Sequence, residues 1–379
     1  MSTLGRVQCA VLGARGLVAQ RLLHRLANHH WLVPTCVIGS PESEGMCVND
    51  IPWSFNQPRE KLPDIIVKGI GERGELASYL VSEGVRIVFS AVPDSVSSLI
   101  EEELATAGLV VISHSTIHRH SDVVPLIVPE VNADHLSLLD IQYEFGSGLL
   151  VSCSNCVVIP LAISIAPILR NFPVTDIQIS TEQSLSGGGR EMLERSRKGK
   201  YPDSEIIGEA LSVETELKRI LGDFKGVGIR ILDLEVNTEC RRVLREFGHS
   251  ARVTLEFGKK VSISEIVNTW KDFHSPVQLL DLPSSAIAPV LLVPDIDVAF
   301  SAISEAELTH QEIGLKSQME VFLGDVEVSG NSLSFTVISD NTVRGAAGNS
   351  VLLSELMLAQ GIIHDSSYSR QSWGDIRQA

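Results

Sequence analysis

Positive charge is scarce in this chain. Its 31 Lys and Arg stand against 47 Asp and Glu, giving a formal net charge of -16 and a pI of about 5.1. A general grip on nucleic acid needs a basic face, so that class of partner is excluded. An anionic small-molecule substrate is still allowed, provided local Arg or Lys holds it. Cysteine is also sparse. Cys9, Cys36, Cys47, Cys153, Cys156 and Cys240 are scattered over 379 residues, which predicts reduced, cytoplasmic usage and no disulfide framework. Cys153 and Cys156 make one C-x-x-C pair. The second pair that a zinc site needs is missing, so no metal is expected. Long apolar runs are lacking too. Arg6 and Arg15 interrupt the apolar N-terminus, which continues as a strand-turn pattern, so neither a signal peptide nor a membrane span is expected. Repeats and low-complexity stretches are missing. What is present is ordinary for an α/β chain long enough for two domains: 44% hydrophobic and 21% charged residues, 29 Gly and 16 Pro.

Val7–Leu12 reads as a buried strand, followed by Gly13-Ala14-Arg15-Gly16 and an amphipathic helix through Leu22, Leu23 and Leu26. Strand, glycine turn and helix in this order let backbone amides reach a pyrophosphate. The spacing is G-x-x-G-x-x-A, with Ala19 as the small residue for close helix packing. Tight turns without a ligand also use glycine. A second strand ends at Ser40, ahead of Glu42 and Glu44. An acid at that edge can bind a free ribose 2′-hydroxyl and repels a 2′-phosphate, which favours NAD over NADP. Strands at Val85–Phe89 and Leu109–Ile112, with a helix from Ser95 to Ala107 between them, argue for a parallel, doubly wound sheet. The polar loop from Ser113 to His120 then lies at a strand's C-terminal end. It offers Arg119 as a fork for anionic oxygens, with its three histidines read as polar lining.

The second half is organised around Ser152-Cys153-Ser154-Asn155-Cys156 and the apolar run after it. A cysteine at a strand-to-helix junction sits near the amides of a helix N-terminus. That position is expected to lower its thiol pKa, and Cys156 reads as a nucleophile that is transiently acylated. A buried structural cysteine is the alternative for this stretch alone. Gln183 ends an alternating strand and is a neutral amide suited to a carbonyl. His249 opens another strand and can exchange protons near neutral pH. Arg242 lies on the preceding strand segment.

Taken together, these stretches resemble the aspartate-semialdehyde dehydrogenase family, in its archaeal and fungal branch. The anchors are Gly13-Ala14-Arg15-Gly16, Val128-Pro129-Glu130-Val131-Asn132, Asn155-Cys156, Gln183 with Ser186-Gly187, Arg242 with Gly248-His249, and Asp340–Gly348. The resemblance implies a Rossmann-type dinucleotide-binding domain over residues 1–132, completed by a C-terminal helix in 345–379. An α+β domain for catalysis and dimerisation would fill residues 133–344. It implies reduction of aspartyl 4-phosphate to aspartate semialdehyde with NADPH, through a thioester on Cys156. His249 would be the acid/base partner and Gln183 would position the acyl group. Arg242 would hold the α-carboxylate, Arg119 would face the phosphate and Glu209 would meet the α-amino group. Gly13, Ala14, Arg15, Gly16, Ser40, Gly187 and Asn341 form the implied cofactor set, with Asn341 on the nicotinamide carboxamide. A homodimer or homotetramer is implied.

Some positions depart from the family pattern. Val157 and Val158 replace Ser and Thr after the nucleophile, and Pro160 replaces a small residue. Glu42 and Met46 stand where Arg and Lys usually meet the 2′-phosphate. Ser212 and Val213 stand in the region of a phosphate-facing lysine, and the next lysine is Lys218. Three readings therefore remain open: the family reaction, a paralogue for another acyl phosphate or thioester, and a nucleotide-binding scaffold that no longer turns over.

Overall fold

The computed structural model describes residues 5–308, 315–316 and 318–363. The first six strands are β1 (Val7–Leu12), β2 (Leu32–Ile38), β3 (Ile87–Ser90), β4 (Val110–Ser113), β5 (Leu126–Ile127) and β6 (Leu149–Cys153). They form one parallel sheet in the order β2-β1-β3-β4-β6-β5. Alternation along β1 builds two cores. Cys9 and Val11 pack with α1 (Leu17–Leu26), while Ala10 and Leu12 pack with α2 (Glu75–Ser82) and α3 (Asp94–Thr106). Period two in a strand sends successive side chains to opposite faces, so a sheet covered on both sides needs apolar residues at every position. The chain leaves β1 toward β2 on one side, and β3 lies on the other. That reversal opens a crevice at the C-terminal end of β1, where Gly13 lies. Strand β6 belongs to this sheet, which therefore reaches past the expected boundary at Asn132 as far as Cys153. The stretch from 133 to 148 carries no strand, and so gave no signal that the sheet resumes.

Helix α4 (Val158–Asn171) joins the two sheets. Every residue from Val158 to Ile168 is buried, as expected for a helix wedged between layers. Pro160 falls in its first turn, where a backbone N–H has no intrahelical partner to lose.

The second sheet is built from β7 (Val174–Gln183), β10 (Glu235–Arg242), β11 (His249–Phe257), β12 (Val290–Leu292), β13 (Val321–Ser329) and β14 (Ser332–Ser339), with the short hairpin β8 (Asp223–Phe224) and β9 (Ile229–Arg230) inserted between β7 and β10. Its order is β10-β7-β11-β14-β13-β12, with mixed directions. One face buries Ile177, Ile179, Val253, Leu255 and Phe335 against α4 and α7 (Ile263–Lys271). Trp270 anchors that layer by donating from Nε1 to Ser164 O at 2.8 Å. The other face is polar, with Gln178, Ser180, Arg252 and Thr254. The remaining helices are α5 (Gly189–Arg197), α6 (Glu209–Ile220), α8 (Pro276–Leu279), α9 (Ile296–Leu308) and α10 (Gly348–Ala359). Helix α10 returns to the first sheet, where Val351, Leu352 and Leu356 join the core of β1. Residues 364–379 of the expected C-terminal segment lie outside the described residues. No helix among the described residues is long and apolar enough to cross a membrane.

Candidate active site

Strand register assembles the site. Arg242 pairs with Gln183 across β10 and β7, and Glu182 pairs with Ser250 across β7 and β11. Gln183, Arg242 and His249 therefore meet at one edge of the second sheet. The turn after β6 delivers Cys156 to the same edge. Its sulfur lies 3.1 Å from His249 Nε2.

Asn155 sets the cysteine's orientation. Its side-chain oxygen accepts the Val157 N–H at 3.0 Å, its own N–H donates to Glu216 Oε2 at 2.7 Å, and its amide donates to Glu209 Oε1 at 2.9 Å. Gln183 Nε2 donates to the same Glu209 oxygen at 2.8 Å. Glu209 is the first residue of α6 and sits beside the pair as a carboxylate held by two neutral amides. Behind Cys156 runs a π-helical turn, Val343–Ala347. A Cβ built on Gly345 would meet Cys156 O at 2.6 Å and Cys156 Cβ at 2.9 Å. Only glycine allows this turn to pass so close, and such turns recur at functional sites.

Burial reverses the expected thiol chemistry. The Cys156 thiol is pushed up to about 12, first by desolvation and then by the Glu209 charge; Arg119 and Arg242 oppose the shift. The helix N-terminus does not outweigh the loss of water around the sulfur. His249 is pushed down to about 3, by burial and then by Arg242 and Arg245. The resting pair is a neutral thiol and a neutral imidazole.

Arg119 is buried, and its NH1 is paired with Glu216 Oε1 at 2.9 Å. Its NH2 donates to His114 O at 3.0 Å. Glu216 also accepts from Ser154 Oγ and Ser212 Oγ, each at 2.8 Å. Arg242 donates from NH1 to Ser184 O at 2.7 Å. The three histidines of the polar loop diverge. His114 meets Ser350, His118 meets Glu101, and His120 is exposed. No group of three His, Cys, Asp or Glu that could hold a metal ion occurs among the described residues. Val157 and Val158 are buried in the core shared with the second sheet, so these departures from the family pattern are absorbed by packing. Cys153 is also buried, with its thiol pushed up to about 12.

At the other end of the crevice, Gly13 has φ +97°, and a Cβ there would lie 2.4 Å from Ala91 O. The turn of Gly13, Ala14, half-buried Arg15 and Gly16 therefore keeps its backbone bare at the mouth of the crevice, which fits a pyrophosphate. Ser40 is exposed, and its hydroxyl donates to Glu42. That bond, ahead of the Arg15 charge, lowers the Glu42 carboxyl. Glu44 instead lies against Gly69.

Gly187, expected among the cofactor residues, packs against Arg242 and His249. A Cβ there would lie 2.8 Å from Arg242 NH1 and 2.9 Å from His249 Cε1. Gly187→Ala is expected to lower kcat by roughly 100-fold through displacement of the imidazole, with the melting temperature nearly unchanged. Initial rates and thermal unfolding check this; wild-type kcat would contradict it. Asn341 is buried, and its Oδ1 accepts the Gly248 N–H at 3.0 Å and the Ser184 hydroxyl at 3.2 Å. Its Nδ2 donates to Ser186 Oγ at 3.0 Å.

A parallel sheet with a bare glycine turn, and a cysteine–histidine pair at its seam with a second sheet, define a nicotinamide-dependent dehydrogenase of the semialdehyde class. Residues 8–139 match the family model of the semialdehyde dehydrogenase NAD-binding domain. Aspartate-semialdehyde dehydrogenase of Archaeoglobus fulgidus is 31% identical over 94% of this chain and 100% of its own length. That of Aspergillus fumigatus is 30% identical over 96% of this chain and 100% of its own length. The crystal structure of aspartate semialdehyde dehydrogenase with NADP from Candida albicans shares the fold. Its TM-score is 0.78 at 24% identity, over 95% of this chain and 100% of that one. The chain belongs to the aspartate-semialdehyde dehydrogenase family.

Proposed function

We propose that this protein reduces aspartyl 4-phosphate to aspartate semialdehyde with a nicotinamide cofactor, through an acyl thioester on Cys156. The observation that carries this reading is the 3.1 Å contact between Cys156 Sγ and His249 Nε2, at an edge that also holds Gln183, Arg242 and Glu209. The names of the two relatives support the same substrate. Cys156 attacks the acyl carbon, so that an S–C bond forms, the C–O bond to phosphate breaks, and phosphate leaves with the electron pair. A nicotinamide held at the crevice beside Gly13 and Gly16 would supply a hydride to the thioester carbon; the C–S bond then breaks, which releases the aldehyde and returns the Cys156 sulfur, with a proton, to the thiol. Gln183 positions the acyl group, Arg242 holds the α-carboxylate, and Glu209 meets the α-amino group. Arg119 contributes positive charge on the phosphate side while it is held by Glu216. Gly13, Ala14, Arg15 and Gly16 cradle the pyrophosphate. Ser40 lies at the adenosine edge, Gly187 at the nicotinamide end, and Asn341 meets the carboxamide. The dinucleotide domain takes residues 5–132 together with β6 (Leu149–Cys153) and the returning helix α10 (Gly348–Ala359), and the second sheet with its helices forms the catalytic domain. The protein works as a cytoplasmic homodimer or homotetramer assembled through the polar face of the second sheet.

The test is steady-state oxidation of aspartate semialdehyde with phosphate and either NAD or NADP. Turnover that requires phosphate supports the reading; no turnover with either nucleotide overturns it. Glu42 bears on the choice of nucleotide. Its carboxylate opposes a 2′-phosphate, so Glu42→Ser is expected to raise kcat/KM for NADP relative to NAD by about fivefold. An unchanged ratio would remove Glu42 from cofactor choice.

A further inference from the structure

We propose that Glu216 is a positioning residue that sets Cys156 and Arg119 in one frame, holding the turn of the nucleophile by its backbone and the guanidinium on the phosphate side by its charge. The proposal rests on the reading of Cys156 as the nucleophile and Arg119 as the phosphate-side cation. Glu216 is buried on α6, and each of its carboxylate oxygens has two donors. Oε2 accepts the Asn155 N–H at 2.7 Å and the Ser154 hydroxyl at 2.8 Å, and so grips the two residues before Cys156. Oε1 accepts from Arg119 NH1 at 2.9 Å and from Ser212 Oγ at 2.8 Å. Two donors on each oxygen fill the acceptor sites of a carboxylate. Glu216 therefore acts through the groups it holds and not on the substrate.

Helical spacing makes this a two-point clamp. Glu209 and Glu216 share one face of α6, and Glu209 Oε1 takes the Asn155 side-chain amide at 2.9 Å. One carboxylate of α6 thus holds the backbone of Asn155 and the other holds its side chain. Glu216 alone also reaches the loop after β4, where Arg119 NH2 is tied to His114 O at 3.0 Å. One helix then carries the groups that serve both nucleophilic attack and phosphate departure. Two of the four donors, the Asn155 N–H and the Arg119 guanidinium, cannot become acceptors, whereas the two serine hydroxyls can. They sit on different oxygens, so an amide in place of the carboxylate satisfies only one of them. The N–H is fixed in the turn and the guanidinium ends a long side chain, so Arg119 is the one released.

Glu216→Gln and Glu216→Ala separate the two arms. In Glu216→Gln the KM for phosphate, in the oxidation of aspartate semialdehyde, should rise about tenfold as the guanidinium loses its direction, with kcat close to wild type. Glu216→Ala should lose the turn as well and lower kcat by roughly 100-fold. A residue that only held α6 in place would lower the melting temperature without this split between KM and kcat. An unchanged or lower KM for phosphate in Glu216→Gln overturns the proposal. Deuterium exchange of the peptide that contains Asn155, followed by mass spectrometry, reads the other arm without substrate. Its protection should persist in Glu216→Gln and be lost in Glu216→Ala; equal protection in all three proteins overturns the proposal. If Glu216→Ala does not fold, Glu216→Asp takes its place, because the shorter side chain cannot span both groups and should lower kcat in the same direction. Failure of the wild-type protein to turn over aspartate semialdehyde would sink the proposed reaction and leave the exchange data standing, so the two failures are distinguishable.

Discussion

Replacing Cys156 with alanine is expected to lower turnover by a factor on the order of 10^4 or more, with the fold and nucleotide binding retained. Loss of a nucleophile that acts as one unit with its partner costs nearly the whole covalent contribution, and substrate binding alone leaves only a small residue. Folding should survive because Gly345 packs against the Cβ of Cys156, and alanine keeps that atom. Cys156→Ser provides the second arm. It restores a hydroxyl of similar size beside His249, and a poorer nucleophile there should recover little of the rate. Stopped-flow and initial-rate assays on both variants, with nucleotide binding followed by fluorescence, decide the matter. If Cys156→Ala keeps turnover within tenfold of wild type, the covalent route is wrong.

The second large effect concerns stability. Glu130 and Arg344 form a fork-to-fork ion pair at 2.9 and 2.7 Å, with both residues buried. Arg344 NH2 also reaches Asn349 Oδ1 at 3.2 Å. This pair ties the stretch after β5 to the π-helical turn behind Cys156. Glu130→Ala would leave a guanidinium buried without its counter-charge, an outcome expected to cost about 3–5 kcal/mol. Glu130→Gln keeps a hydrogen-bond acceptor and should cost less. Urea unfolding of the two variants checks the order and the size. A loss below about 1 kcal/mol for Glu130→Ala would show that the pair does not hold the turn.

Local pattern predicted local structure well. The bare glycine turn after β1, the strand ending at Gln183 and the strand opening at His249 follow from period and punctuation. The meeting of Cys156 with His249 was expected only through the family resemblance, because 93 residues separate them and they meet where the turn after β6 of the first sheet reaches the end of β11 in the second. The direction of the thiol shift was misread for a physical reason. A helix N-terminus is visible in a sequence, whereas the desolvation that outweighs it depends on every layer packed around the sulfur. Arg119 looked available for a phosphate, and its partner Glu216 is 97 residues away. A signal for Glu216 did exist: Glu209, Ser212 and Glu216 recur at helical spacing and share one face of α6. Asn155 stood beside the nucleophile with its orienting role unread.

The central claim is tested most directly by acid-quenching the enzyme during turnover with its acyl phosphate substrate and reading the Cys156 peptide by mass spectrometry. The account predicts an aspartyl adduct on that peptide, which disappears when reduced nicotinamide is supplied in excess. Cys156 left unmodified by the acyl phosphate in the absence of reduced nicotinamide, in an enzyme that turns over in its presence, or an adduct on another residue, would contradict it.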